Sequence, residues 1–173
     1  MAGAELRLRR IESPADLGPA NALAREFGDW AGERIRVEFG IVVPAAANHP
    51  TDVLDELLAA GGRVYVAEVD GIAVGVGGLK RLTRSEGEIK RMFVRPAARG
   101  RGVARAILER LIADARELGC TTIQLESASL MHSAHALYRS AGFVPSDSYA
   151  GREFAGAAQD VSVFMRLDLG DGT

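Results

Sequence analysis

What this 173-residue chain lacks narrows the field first. It has a single cysteine, Cys120, so no internal disulfide can form and no cysteine cluster can hold zinc. A small core residue at a helix–strand junction is the default role for that thiol. Lysine is nearly absent: of 21 basic residues only Lys80 and Lys90 are lysines, and the rest are arginines, which suit rigid hydrogen bonding to anions. Charge of either sign is not in excess. The formal net charge is −2, which implies no general attraction to nucleic acid and leaves room only for a local basic patch. No apolar run has transmembrane length, and the opening "MAGAELRLRR" lacks the apolar core of a signal peptide. The expectation is a cytoplasmic protein with no membrane or nucleic-acid partner. A nucleotide P-loop is also poorly supported, because G-x-x-x-x-G-K-S/T occurs nowhere.

What is present suits one folded domain. Hydrophobic residues make up 47% of the chain, against disorder. A chain of this length buries roughly 70% of its unfolded surface. Glycines and prolines are dispersed, with no repeat or linker, so we expect a single domain over residues 1–169 and a short flexible tail at 170–173.

Periodicity orders the elements. "ELRLRRI" alternates as a strand. Asp16 to Trp30 carries Leu17, Ala20, Leu23, Ala24 and Phe27 at helical spacing and is expected to end near Gly28 or Gly32. "EFGIVVPAAANHP" is the least legible part, read as a short helix end and a loop over a pocket. A helix follows with Thr51 or Asp52 near its cap, Val53, Leu54, Leu57 and Leu58 inside, and Gly61 and Gly62 at its stop. "RVYVAEV" and "IAVGVGGL" flank Asp70-Gly71, a strong hairpin signal. "GEIKRMFV" makes a third consecutive strand. Val103 to Leu118 is an amphipathic helix with Val103, Ala106, Ile107, Leu111 and Ala115 inward. "TTIQLES" follows a helix and is expected to run parallel to the strand before it. A helix over His132 to Ala141 stops at Gly142. Ser146 to Gln159 is obscure, with a short strand at "REF", and "VSVFMRLDL" closes the sheet. The sum is an α/β domain.

One stretch carries chemistry. In "RPAARGRGVARAIL", two glycines among arginines open a helix directly after a strand. The first N–H groups of a helix lack internal acceptors, and aligned peptide dipoles add positive potential there, so phosphate satisfies both. Gly100 and Gly102 let an anion approach the backbone, with Arg99, Arg101 and Arg105 at the rim. Physics alone leaves an ordinary helix cap with solvent-facing arginines equally open. A dinucleotide fingerprint is not met, since Arg105 stands where its third glycine belongs.

These residues resemble a known superfamily, the GNAT acyl-CoA-dependent N-acyltransferases. Arg99-Gly100-Arg101-Gly102-Val103-Ala104 fits that family's Arg/Gln-x-x-Gly-x-Gly/Ala loop. "EIKRMFVRPAARGRGVARAILERLIADARELG" is similar to its whole strand–loop–helix unit, and "SAHALYRSAGF" to its later tyrosine helix. "IAVGVGGL" is similar to its central hairpin, and "VSVFMRLDL" to its closing strand. The resemblance covers about Val64 to Leu169. It implies a mixed sheet of about seven strands, splayed between strands 4 and 5, with about four flanking helices.

It also implies acetyl-CoA as cosubstrate, CoA as product and no metal. The diphosphate would lie on backbone N–H groups from Arg99 or Gly100 through Ala104, with Arg105 nearby. The pantetheine arm would pair with Met92, Phe93 and Val94, and an N–H near Val94 would face the thioester oxygen. Tyr138 matches the family's acid. It also shares a helical face with Ala134, Leu137 and Ala141, so a core tyrosine is the competing reading. Glu88 matches a strand-four base, although alternation puts Lys90 and Met92 on its face and a plain salt bridge with Lys90 competes. Glu86 and Glu126 are weaker alternatives. Met131 stands where members often carry a cofactor-holding asparagine, and Ser133 or His132 can substitute. His132 and His135 are three apart, with no third metal ligand evident. Arg84, Arg91, Arg95 and Arg139 are candidate guides for acidic substrates, and Trp30 and Phe39 candidate acceptor-wall aromatics. The expected acceptor is a small amine or amino acid; protein lysine or N-terminal acetylation and a non-catalytic CoA sensor are the alternatives. Pairing of copies through a sheet edge, with "VSVFMRLDL" as a plausible edge, is a family-level expectation.

Overall fold

Alternating residues become a seven-stranded sheet in a computed structural model that describes residues 5–44, 53–149 and 160–170. Its strands are β1 (Leu6–Arg10), β2 (Arg63–Val69), β3 (Ile72–Arg81), β4 (Glu86–Val94), β5 (Thr122–Ala128), β6 (Val144–Pro145) and β7 (Ser162–Asp168). Their order is β1-β2-β3-β4-β5-β7-β6. The first four form an antiparallel meander, β5 runs parallel to β4, and β7 is antiparallel to β5. The β2–β3 hairpin turns at Asp70 and Gly71, with φ of 52° and 79°. Two successive positive φ values match the strand twist, which is why Asp-Gly signals this turn.

Among the described residues four α-helices flank the sheet: α1 (Gly18–Phe39), α2 (Val53–Ala59), α3 (Val103–Glu117) and α4 (His132–Ser140). Leu23, Leu54 and Leu57 of α1 and α2 pack with Val64, Val66, Val76 and Phe93 on one face. Ile107, Leu108 and Leu111 of α3 and Tyr138 of α4 pack with Leu79, Ile89, Ile123 and Leu125 on the other. Each fully buried side chain of this kind stabilises the fold by about 1.5–3 kcal/mol. β3 is glycine-rich because α3 lies so close: a Cβ on Gly77 would sit 2.5 Å from Ile107 Cγ2 and 2.7 Å from Met92 Sδ.

Three expectations change. The first helix does not end at Gly28 or Gly32; both are buried within α1, which runs to Phe39 and stops at Gly40 with φ 68°. Glycine ends a helix only where the chain needs a left-handed residue, and here Gly40 supplies it. The strand "VSVFMRLDL" is not the sheet edge, because β6 pairs Val144 and Pro145 with Arg166 and Met165 outside it. β6 is too short to announce itself by alternation. The strand expected at "REF" and the cap at Thr51 or Asp52 lie outside the described residues.

The third change concerns β4. Val76 pairs with Phe93 and Gly78 with Lys90, so β4 carries one residue more than β3. Arg91 absorbs it at φ 55°, a β-bulge. The bulge resets the alternation. Met92 packs with the α3 cluster while Phe93 packs with the α1 cluster. Met92 therefore does not share a face with Glu88 and Lys90, as simple period-two counting expects.

Candidate active site

Parallel pairing of β4 with β5 runs from Glu86↔Thr122 to Ile89↔Leu125 and stops there. Past that point the strands part, and a cavity of about 950 Å³ opens between them. Residues 90–94 of β4 line one side and 125–128 of β5 the other, with the glycine turn, α4 and the middle of α1 completing the wall.

The main chain of β4 divides its groups by alternation. Arg95 N–H donates to Val74 O at 2.9 Å, which fixes that residue's groups on the β3 side. Val94, one residue earlier, turns its N–H and carbonyl to the gap, and so by the same period does Met92. Phe93 is paired with Val76 and turned toward β3. Of the three residues expected along the cofactor arm, Met92 and Val94 turn main-chain groups to the gap. Phe93 instead contributes its ring, 5.7 Å from Phe27 and 6.4 Å from Trp30 between centroids.

Gly100 and Gly102 hold φ of 74° and 78°, and Gly102 is the N-cap of α3. An added Cβ at either would meet nothing within 4 Å, so the space over the turn is open. Ala106 N–H is the first to bond back, to Gly102 O at 3.0 Å. The N–H groups of Val103, Ala104 and Arg105 thus have no helical acceptor. Arg99 N–H is already bonded to Pro96 O at 3.2 Å, so the donor set starts at Gly100 and not at Arg99. The Arg99 side chain reaches back: Nε donates to Val94 O at 3.0 Å, and its guanidinium carbon lies 4.9 Å from the Trp30 ring centroid. Arg105 lines the cavity and bonds Ser140 Oγ at 3.0 Å, tying α3 to α4. Arg101 is exposed and is not among the lining residues.

From α4, Tyr138 presents its ring to the core, 5.8 Å from Phe143 between centroids. It is 6% exposed and lines the cavity. Burial holds its phenol above the usual range, so the proton stays on the oxygen. The ring is part of the core, as the competing reading expects, and the hydroxyl has no hydrogen-bond partner among the described residues. His132, Ser133 and Met131 also line the cavity. His135 is buried instead, with Nε2 at 3.0 Å from Ser127 Oγ on β5. Among the described residues no three His, Cys, Asp or Glu side chains group to hold a metal.

Glu88 is 1% exposed, in spite of its charge. Lys90 Nζ lies 3.0 Å from its Oε1, as the salt-bridge reading expects. Tyr149, just after β6, donates its hydroxyl to the same oxygen at 2.7 Å. Oε2 is buried with no hydrogen-bond partner among the described residues. Sequence reasoning missed Tyr149, which lies in the stretch with no periodicity. Glu126 lines the cavity and accepts from Ser162 Oγ at 3.0 Å, whereas Glu86 takes part in the turn at Thr83. Of the candidate guiding arginines only Arg91 lines the cavity. Arg95 pairs with Glu26 and bonds Ala73 O at 2.8 Å, while Arg84 and Arg139 are exposed away from the lining. Trp30 lines the cavity, and so does Arg34, which sequence reasoning did not single out; Phe39 does not. Cys120 is buried in the α3 cluster.

Comparisons with known proteins converge on one group. A family model described as the acetyltransferase (GNAT) family matches residues 29–143. An IAA acetyltransferase from Azospirillum brasilense is 40% identical over 105 residues, 60% of this chain and 68% of that protein. The uncharacterized N-acetyltransferase YjgM from Escherichia coli is 32% identical over 117 residues, 64% of this chain and 70% of that one. The crystal structure of a PaiA N-acetyltransferase from Thermoplasma acidophilum in complex with coenzyme A superposes with a TM-score of 0.72. It covers 95% of this chain and 99% of that one at 16% identity, a likeness of fold. Among the described residues no helix is long and apolar enough to cross a membrane.

Proposed function

Because the chain belongs to the acetyltransferase (GNAT) family, whose activity is acetyl-CoA-dependent N-acetyl transfer, we propose that it acetylates the primary amine of a small molecule or amino acid. Transfer is by direct attack within a ternary complex. One observation carries this reading: an open helix N-terminus, an unpaired strand edge and a phenol with no hydrogen-bond partner among the described residues meet around one cavity.

The residues present fit the cosubstrate, because the space above Gly100 and Gly102 is open and the free edge of β4 lies beside it. N–H groups from Gly100 to Arg105 hold the diphosphate. Met92 and Val94 hold the pantetheine amides, and the Val94 N–H takes up the charge that grows on the acyl oxygen. Acetyl-CoA, when bound, supplies an acyl carbon activated as a thioester. Tyr138 gives its proton to the departing sulfur.

The amine must be neutral to attack. Removing a proton at pH 7 costs roughly 4–5 kcal/mol for a lysine-like amine and roughly 1 kcal/mol for an α-amine. Glu88 is the acceptor of that proton, directly or through water. Lys90 and Tyr149 hold one oxygen in place and leave Oε2 for the proton. Arg34 on the cavity wall favours an acceptor that carries a carboxylate beside its amine.

The test is an assay of the purified chain with acetyl-CoA and a panel of amines, amino acids and peptides, following thiol release. Turnover on amino acids is the expected outcome. Turnover on peptides alone would assign the acceptor to protein, and saturable CoA binding without transfer across the panel would make this a sensor.

A further inference from the structure

Tyr149 sits outside the cavity lining, yet its hydroxyl makes the shortest of the two contacts to Glu88, 2.7 Å against 3.0 Å from Lys90. Its ring is fixed in turn, edge-on to Phe164 of β7 with centroids 5.8 Å apart and planes at 84°. Phe164 is paired with Glu126 across the β5–β7 ladder. The phenol therefore links the closing strand to the acid on β4, across the strand between them. A side chain held at both ends in this way has little freedom to turn away.

We infer that Tyr149 is a positioning residue for proton removal from the acceptor amine: its O–H fixes Oε1 of Glu88 and aims Oε2, which has no hydrogen-bond partner among the described residues, at the acceptor side. This rests on the reading of Glu88 as the base. The physical logic is that of a carboxylate with two oxygens and unequal surroundings. Two donors on Oε1 set the carboxyl plane, and Oε2 is the lone-pair site left to receive a proton. Without the phenol, Lys90 alone holds Oε1, and the plane can rotate about the last side-chain bond. The proton balance is simple: the amine loses one proton to Oε2, which passes it to solvent after transfer, and Tyr149 keeps its own throughout.

Other charges face the same side of the sheet. Lys80 lies opposite Glu88 on β3, Glu126 is on β5, Arg166 is on β7 opposite Gln124, and Arg34 is on the cavity wall of α1. These stay in place in a Tyr149→Phe variant, which removes one oxygen and keeps the ring on Phe164.

The experiment is the pH dependence of kcat/KM for Tyr149→Phe, Glu88→Gln and the unchanged chain, with an amine of high pKa as acceptor and CoA binding measured alongside. Loss of a donor to the ionised carboxylate should move the acidic limb of the Tyr149→Phe profile up by about one pH unit, with CoA affinity unchanged. Glu88→Gln should remove that limb altogether. If Glu88→Gln keeps the limb, the base assignment fails and takes the inference with it. If Glu88→Gln loses it but Tyr149→Phe leaves it unmoved, Glu88 stands and the role of Tyr149 is overturned. Should Tyr149→Phe fold poorly, Phe164→Leu carries the test, since it keeps the hydroxyl but removes its support: a limb moved the same way supports the inference, and an unmoved limb overturns it.

Discussion

Arg99 binds the glycine turn to the strand before it, with Nε donating to Val94 O at 3.0 Å. Val94 is also the residue whose N–H faces the gap, so one side chain couples the glycine turn to the open edge of β4. The stack on Trp30, at 4.9 Å, holds the guanidinium plane. A neutral-acceptor hydrogen bond and an exposed cation–π contact together contribute about 1–2 kcal/mol. Arg99→Ala should therefore raise KM for acetyl-CoA by roughly 5–30-fold with a smaller loss in kcat. Arg99→Lys should recover little, since an ammonium has no planar fork. Steady-state kinetics with varied acetyl-CoA decides, and an unchanged KM would show that the clip does not shape the site.

Gly102 has φ 78° and open space above it, so its replacement tests conformation and not crowding. An L-residue held in the left-handed region costs about 1–2 kcal/mol. Gly102→Ala should lower Tm by about 2–8 °C. The added methyl also stands where the proposed diphosphate would approach the first helical N–H groups. Calorimetric titration should then show weaker CoA binding in a variant that still folds. A normal affinity would move the diphosphate away from this turn.

Removal of one oxygen at Tyr138 should separate chemistry from packing. The hydroxyl has no partner among the described residues, so Tyr138→Phe leaves the core and its contact with Phe143 intact. We expect kcat to fall by about 100-fold, within the usual range for a lost general acid, with CoA affinity unchanged. Stability gives a second readout. Burial raises this phenol in the folded chain, so the unfolded chain releases its proton first as pH rises past about 10. Stability present at neutral pH is lost with increasing alkalinity, and Tyr138→Phe should lose less of it. Melting curves at pH 8 and pH 11 make the comparison.

The sequence displays long periodic elements well, and local exceptions badly. Alternation located β2, β3, β4, β5 and β7, and the glycine turn announced the start of α3, because both signals depend on near neighbours. α1 was cut short since a glycine in a helix is read as a stop, whereas Gly28 and Gly32 are buried inside it. The bulge at Arg91 was invisible: no glycine or proline marks it, and only pairing with β3 reveals the extra residue. Tyr149 was missed for a related reason. Its meeting with Glu88 joins residues 61 apart, through the closing strand, and no local pattern encodes that.

His135 supplies an acid-side test of the same cavity. It is 4% exposed and ties α4 to β5 through Ser127 Oγ, which lines the cavity. Burial depresses its pKa first, the charges of Arg139 and His132 add to this, and a hydrogen bond with the Ala128 backbone opposes both. The unfolded chain, with histidine near 6.5, takes up its proton at higher pH than the folded chain does. Stability is therefore full above about pH 6.5 and falls as pH drops toward the folded value, where the loss levels off. His135→Gln keeps a hydrogen-bonding group for Ser127 but cannot titrate. Between pH 7.5 and pH 5 its Tm should fall less steeply than that of the unchanged chain, by differential scanning fluorimetry in a common buffer. Equal slopes would mean that the buried imidazole protonates as freely as an exposed one, and that the α4–β5 tie is not sensitive to acid.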